Sequence, residues 1–303
     1  MEERHFAGVD QPRIRTEVAL MRIAAAETFM LGHESLPTSL RRLEAAGFDS
    51  VEIIVPHRIA ADASAAEIAA VQRELANSAL DLVALSGGWP LAAREEDRRA
   101  SGVAELRSVI ELAHRLGCAT VTSEINGGTS QAETECIDAF RKSIEQLTSQ
   151  LETTGVRLAL EPHPGDVVEK HDDGLALIRE IDHPSVGYLY CLPHTFVLGD
   201  DAAKMIRDAG TLLSYVHVAD SNRQQKIVVG YRAKGYANAL ETDEFRDTMT
   251  AHEHLVPGKG DIDFVAVSQA LRDIGYDGVL SAVPFAIQSD VELEHVQQAL
   301  RSL

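Results

Sequence analysis

The chain has 303 residues, 45% of them hydrophobic and 25% charged, which is long enough to bury a large core and too apolar for a disordered state. Its 47 acidic side chains outnumber 28 basic ones, and the net charge of −19 argues against a nucleic-acid partner, whose phosphates need a concentrated basic face. Cys118, Cys136 and Cys191 have neither the number nor the spacing of a disulfide framework, and no apolar run approaches the roughly 20 residues of a membrane span, so a cytoplasmic protein without membrane contact is expected.

In chain order, short apolar runs alternate with longer amphipathic ones. The runs at 22–26, 50–55, 80–85, 120–123, 157–161, 186–190, 215–218 and 279–282 predict strands. Helical spacing fills the gaps, first in Leu36-Leu40-Leu43 before Gly47, Ile68-Val71-Leu75, and Leu106-Ile110-Ala113 before Gly117. Further helices are predicted at 137–151, 175–181, 202–209, 264–274 and 291–300. Eight strand–helix units argue for one parallel sheet closed as a single (β/α)8 barrel over residues 1–303. Two doubly wound domains would show a linker or a dinucleotide fingerprint, and Gly87-Gly88 alone is not one. The long stretch 222–251 would lie at the catalytic face of such a barrel, as a substrate lid or as a decoration.

Barrel chemistry sits where strands end. Strand five ends in Glu161-Pro-His163, and strand six in Cys191-Leu-Pro-His194. Strand seven carries His217-Val-Ala-Asp220-Ser-Asn-Arg223, and His252-Glu-His254-Leu-Val-Pro-Gly-Lys-Gly-Asp-Ile-Asp263 follows later. In an extended segment His252 and His254 point to one side and can face a single ion. Trp89 follows Gly87-Gly88 at the end of strand three, where a sugar face could stack on it or the core could enclose it. Glu124 and Asn126 follow strand four and point toward the barrel mouth. His5, His33, His114, His171, His183 and His295 read as surface or packing residues.

From about Phe29 onward the sequence resembles the xylose-isomerase-like barrels, which include sugar epimerases, inosose dehydratases and endonuclease IV. The resemblance rests on Ala46-Gly-Phe-Asp-Ser-Val-Glu-Ile53, Leu160-Glu-Pro-His163, Val216-His-Val-Ala-Asp220 and the segment His254 to Asp263. It implies a divalent metal held by Glu, Asp, His and Glu, of which Glu161 and His217 match while Cys191 and Val283 stand in the other two places. A Cys191 thiolate would favour zinc or iron over manganese and magnesium. Val283 can neither bind metal nor move a proton, which disfavours two-base epimerisation. The endonuclease branch implies that His194, His252 and His254 form a metal subsite, and the offset from His217 implies that Arg223 binds substrate.

The expectation is a sugar isomerase or lyase that abstracts a proton next to a carbonyl of a small polyhydroxylated, keto-sugar-like substrate. Glu161 or His163 is the base, Cys191 a third acid–base candidate, and Arg223, Trp89 and Glu124 bind substrate. Glu161, His194, His217, His252 and His254 are the candidate ligands of a divalent zinc or manganese ion. The alternatives are metal-free acid–base chemistry and a non-catalytic barrel subunit or ligand-binding protein. A homo-oligomer or a partner subunit is also open.

Overall fold

In a computed structural model, residues 21–126, 133–164, 166–222 and 253–303 are described. Their eight strands close a parallel barrel in sequential order. The strands are β1 (Arg22–Ala26), β2 (Ser50–Ile54), β3 (Asp81–Gly87), β4 (Thr120–Glu124), β5 (Arg157–Glu161), β6 (Val186–Cys191), β7 (Leu213–Val218) and β8 (Val279–Ala282). Each falls on a predicted run because strands covered on both faces read as continuous apolar sequence. The predicted segment 222–251 lies, save Asn222, outside the described residues.

The helices are α1 (Glu27–Leu31), α2 (Leu36–Ala45), α3 (Ala65–Ala76), α4 (Glu96–Leu116), α5 (Glu133–Thr154), α6 (His171–Ile181), α7 (Leu192–Phe196), α8 (Ala202–Ala209), α9 (Phe264–Asp273) and α10 (Asp290–Arg301). Side chains set several of their starts: Ser64 and Glu67 form a reciprocal capping box on α3, and Asp201, Asp263 and Ser289 cap α8, α9 and α10. Gly117 ends α4 in the left-handed conformation, at φ 71°. Among the described residues no helix is long and apolar enough to cross a membrane.

Most of the core lies between the strands and the helical ring, where residues such as Leu43, Leu106, Phe140 and Leu293 are fully buried. A second cluster of Ala84, Ala159, Leu189, Cys191 and Tyr215 is separate from it. Two register shifts break the regular ladder, one between Val51 and Glu52 against β3 and one between Tyr188 and Leu189 against β7. Such irregularities re-aim side chains, and both lie beside residues that reach the site.

His171 is a packing residue, as its surroundings in sequence imply: it is 1% exposed, and its Nδ1 lies 2.8 Å from the Tyr188 hydroxyl. Burial lowers its pKa from 6.5 to about 4. The folded protein therefore keeps the ring neutral while the unfolded chain takes up a proton below pH 6.5, so stability falls as the pH falls toward 4. Replacing His171 with Gln is expected to flatten that acid slope by roughly 3 kcal/mol, read from urea midpoints across this range.

Candidate active site

The C-terminal ends of the strands surround a cavity of about 450 Å³. Its polar side carries Glu124, Glu161, His163, His194, His217 and His254, and Phe29, Ile54 and Phe285 line it elsewhere. The local sequence explains how each polar group arrives. Glu161 and Cys191 are the last residues of β5 and β6, and His217 is the last but one of β7. His194 rides on the short helix α7, which starts directly after Cys191 with Pro193 in its first turn.

His254 lies far along the chain and is tied to β7 by its neighbour, since Asp220 and Leu255 exchange two backbone hydrogen bonds of 2.8 Å. The Asp220 carboxylate completes the tie, accepting the N–H groups of Ser221 at 2.8 Å, Gly258 at 2.8 Å, Gly260 at 2.9 Å and Ile262 at 3.1 Å. Asp220 is thus a structural member of its motif. Phe285 stacks on His254 with ring centroids 4.4 Å apart.

Val283 contributes through its backbone: its carbonyl accepts a hydrogen bond from His254 Nδ1 at 2.9 Å, while its side chain is buried with Ala26 and Ala219. A carbonyl only accepts, so the neutral His254 ring keeps its lone pair on Nε2. That atom faces His194 Nε2 at 3.0 Å and Cys191 Sγ at 3.9 Å. His194 Nδ1 in turn faces Glu161 Oε1 at 2.9 Å, and His217 Nδ1 lies 3.6 Å from the same oxygen.

On its other side His217 Nε2 meets both oxygens of Glu52 at 3.2 Å. Glu52 is fully buried and also accepts hydrogen bonds from Tyr215 at 2.9 Å and Ser281 at 2.7 Å. Burial works against the charged forms, yet it is outweighed here: Glu52 and Glu161 are held below the usual carboxylate range by their histidines, and His217 is raised well above 6.5, with Glu52 the largest opposing influence. Burial takes His194 down to about 4 and His254 well below 6.5, so both are neutral at pH 7. The positive partner of the two carboxylates is therefore His217 itself or a cation bound beside it.

The structure brings Glu161, His163, His194, His217, His254 and Glu124 together around one cavity. Cys191 is 2% exposed and joins the cluster from within the barrel wall. Burial pushes its thiol far up, followed by the charge of Glu161, so without a cation it stays protonated and is a poor acid–base group. Trp89 is 3% exposed, lies outside the lining of this cavity, and sits so close to Gly87 that a methyl group there would be 2.9 Å from its ring, which fits the core-filling alternative. Arg223 and His252 lie outside the described residues. Sequence reasoning missed Glu52. The available signal for Glu52 was a carboxylate inside the apolar run Ser50–Ile54, where an unpaired charge would be prohibitive.

A cation fits this donor set. Glu161, Cys191 and His217 offer ligand atoms within 4.8 Å of one another, as do Cys191, His194 and His254, so the two sets share the thiol. Glu161 Oε1 is buried without a hydrogen bond, and Glu52 orients His217 as carboxylates orient metal-binding imidazoles.

A parallel eight-stranded barrel with its polar cluster at the C-terminal face defines the class, and the sequence defines the family within it. Residues 40–303 match the xylose isomerase-like TIM barrel family, to which the chain belongs. It is 24% identical to D-psicose 3-epimerase of Ruminiclostridium cellulolyticum over 147 residues, 48% of this chain and 40% of that protein. Identity to inosose dehydratase of Clostridium perfringens is 24% over 139 residues, 46% of this chain and 44% of that protein, so the chain spans less than half the length of these two relatives. Ketose 3-epimerase of Arthrobacter globiformis is 22% identical over 268 residues, 85% of this chain and 81% of that protein. Among solved structures, the IolI protein with a bound zinc atom superposes with a TM-score of 0.73 at 20% identity, covering 92% of this chain and 96% of that one. The 3-keto-D-glucoside 4-epimerase of E. coli superposes with a TM-score of 0.69 at 18% identity, covering 92% and 97%.

Proposed function

We propose that the chain is a sugar lyase or isomerase that abstracts a proton next to the carbonyl of a small polyhydroxylated keto-sugar. The observation that carries this reading is the convergence of Glu161, His194, His217 and His254 on one cavity at the catalytic end of the barrel. Glu161 is the base: it is ionised, it faces the cavity, and His163 stands two residues away as its alternative. The names of the relatives, two ketose epimerases and an inosose dehydratase, support the substrate class.

A divalent cation would be held by Glu161, His217 and Cys191, with His194 and His254 in reach of the same space. When bound it supplies Lewis-acid polarisation of the substrate carbonyl, and the thiol favours zinc over manganese. Glu52 holds the His217 ring in place from below, and Phe29 and Phe285 cover part of the cavity with apolar surface. Elimination is favoured over epimerisation because the β8 position is the apolar Val283, buried with Ala26 and Ala219, and provides no second base.

The test is exchange in heavy water. Wild-type protein supplied with zinc or manganese is incubated with keto-inositols and 3-keto-glycosides. Deuterium is expected to enter the carbon beside the carbonyl, and the Glu161→Gln variant is expected to lose about 100-fold or more of that rate. Absence of exchange with every such substrate would refute the reading.

A further inference from the structure

The lining of the cavity divides by strand. Its acidic and imidazole groups come from the C-terminal ends of β4 to β7 and from His254, which is tied to β7 through Leu255. The facing wall comes from β8, β1 and β2, which are neighbours in the barrel. Its large side chains are apolar: Phe285 after β8, Phe29 on α1 directly after β1, and Ile54 at the end of β2. Thr28 is the hydroxyl residue of this wall among the described residues, and its Oγ1 is engaged within the protein, donating to Glu27 Oε2 at 3.2 Å and accepting the Ile54 N–H at 3.4 Å. As first and fifth of eight strands in sequential order, β1 and β5 face each other across the barrel, so the apolar wall stands opposite Glu161.

The aromatic part of this wall is held in place by backbone. The Phe285 N–H donates to the His254 carbonyl at 3.0 Å, and the Ala286 N–H donates to the Phe29 carbonyl at 3.1 Å. Ala286 takes a φ of 52°, a left-handed conformation that a residue with a Cβ keeps only where its surroundings impose it. The Phe29 and Phe285 rings meet as a tilted pair, with centroids 5.5 Å apart and planes at 49°. Phe29 is 38% exposed, and among the described residues it is the one aromatic side chain left exposed.

We infer that Phe29, Phe285 and Ile54 form the specificity site for an aromatic substituent of the substrate, held across the cavity from the carbonyl that Glu161 serves. The inference rests on the proposed function and narrows its substrate class to keto-sugars that carry such a ring. A sugar bearing hydroxyls all round its edge would direct some of them at this wall, where they would lose water and find no replacement partner. An aromatic ring presents only C–H groups at its edge, and it packs well in tilted contact with other rings. The polar half of the cavity then receives the hydroxylated, reacting part of the same molecule.

Calorimetry with phenyl and methyl β-D-glucoside, which have no carbonyl and do not react, tests the wall without turnover. Wild-type protein is expected to bind the phenyl glucoside about 10–100-fold more tightly, the gain from burying one aromatic ring. In Phe29→Ala, a change at a half-exposed position, that ratio is expected to fall below about 3, with Phe29→Leu in between and Phe285→Leu also reduced. Equal binding of the two glucosides by the wild type, no binding of the phenyl glucoside, or a ratio unchanged in all three variants would overturn the inference. Deuterium exchange with phenyl and methyl 3-keto-glucoside then separates it from the function it rests on. The phenyl compound is expected to have the lower KM at similar kcat, and Phe29→Ala is expected to abolish that difference. Exchange that is equally efficient with both compounds would overturn the aromatic wall and leave proton abstraction standing. No exchange with either, alongside a phenyl preference in binding that Phe29→Ala removes, would defeat proton abstraction and leave the wall established.

Discussion

Replacing Glu52 with Ala is expected to destabilise the protein by on the order of 3–5 kcal/mol, the usual cost of removing one partner of a buried ion pair. The carboxylate is fully buried and is met by Tyr215, Ser281 and both contacts to His217 Nε2. Alanine would leave two hydroxyls and a charged imidazole facing a void. Glu52→Gln keeps the shape and is expected to cost less stability, yet it removes the charge that raises His217 and fixes its ring. Cation affinity should then fall about 10–100-fold, as when an outer partner of a metal-binding histidine is lost. The pH dependence has two limits. Glu52 has a lowered pKa, so its contribution is present above about pH 4.5 and is lost as the pH falls through the folded value. His217 has a raised pKa, so its contribution is complete below 6.5 and is lost as the pH rises through the folded value. Urea unfolding and the His217 imidazole resonance check both statements, and an alanine variant within about 1 kcal/mol of wild type would refute the buried-pair account.

The second large effect is expected at the tie that carries His254. Asp220 accepts four backbone N–H groups and is fully buried. Asp220→Ala strands these donors at about 1–3 kcal/mol for each that water cannot reach, and Asp220→Asn presents an amide to two of them. Gly260→Ala attacks the same tie from the other side, since its methyl group would lie 2.4 Å from Asp220 Oδ1 and 2.7 Å from the Ser221 nitrogen. All three variants are expected to lose several kcal/mol and to displace His254 from His194, which thermal unfolding and histidine resonances would report. Wild-type His254 resonances in Asp220→Ala would show that the carboxylate does not position the ring.

Much of the fold was legible because its signals are local. The apolar runs were long enough to mark all eight strands, and β1, β5 and β8 coincide with the predicted spans. Glu161, His163, His194, His217 and His254 were legible for a related reason, since polar residues directly after such runs point into a barrel mouth. What escaped depends on closure of the barrel. Glu52 meets His217 across 165 positions of sequence, and nothing near Glu52 announces that partner. For Trp89 a strand-end position fits a stacking role as well as a packing one, and its burial against Gly87 appears only once the barrel is closed.

Glu161, His217 and Cys191, together with His194 and His254, are proposed as a cation-assisted centre for proton abstraction. Metal content tests it most directly, by plasma mass spectrometry on protein purified without chelators and re-equilibrated with equal zinc and manganese, for wild type, His217→Ala and His254→Ala. Close to one ion per chain is expected in the wild type, mainly zinc because of the Cys191 thiol, with severe loss in His217→Ala and a smaller loss in His254→Ala. Wild-type protein that retains no ion after re-equilibration, or variants that retain as much as the wild type, would contradict it.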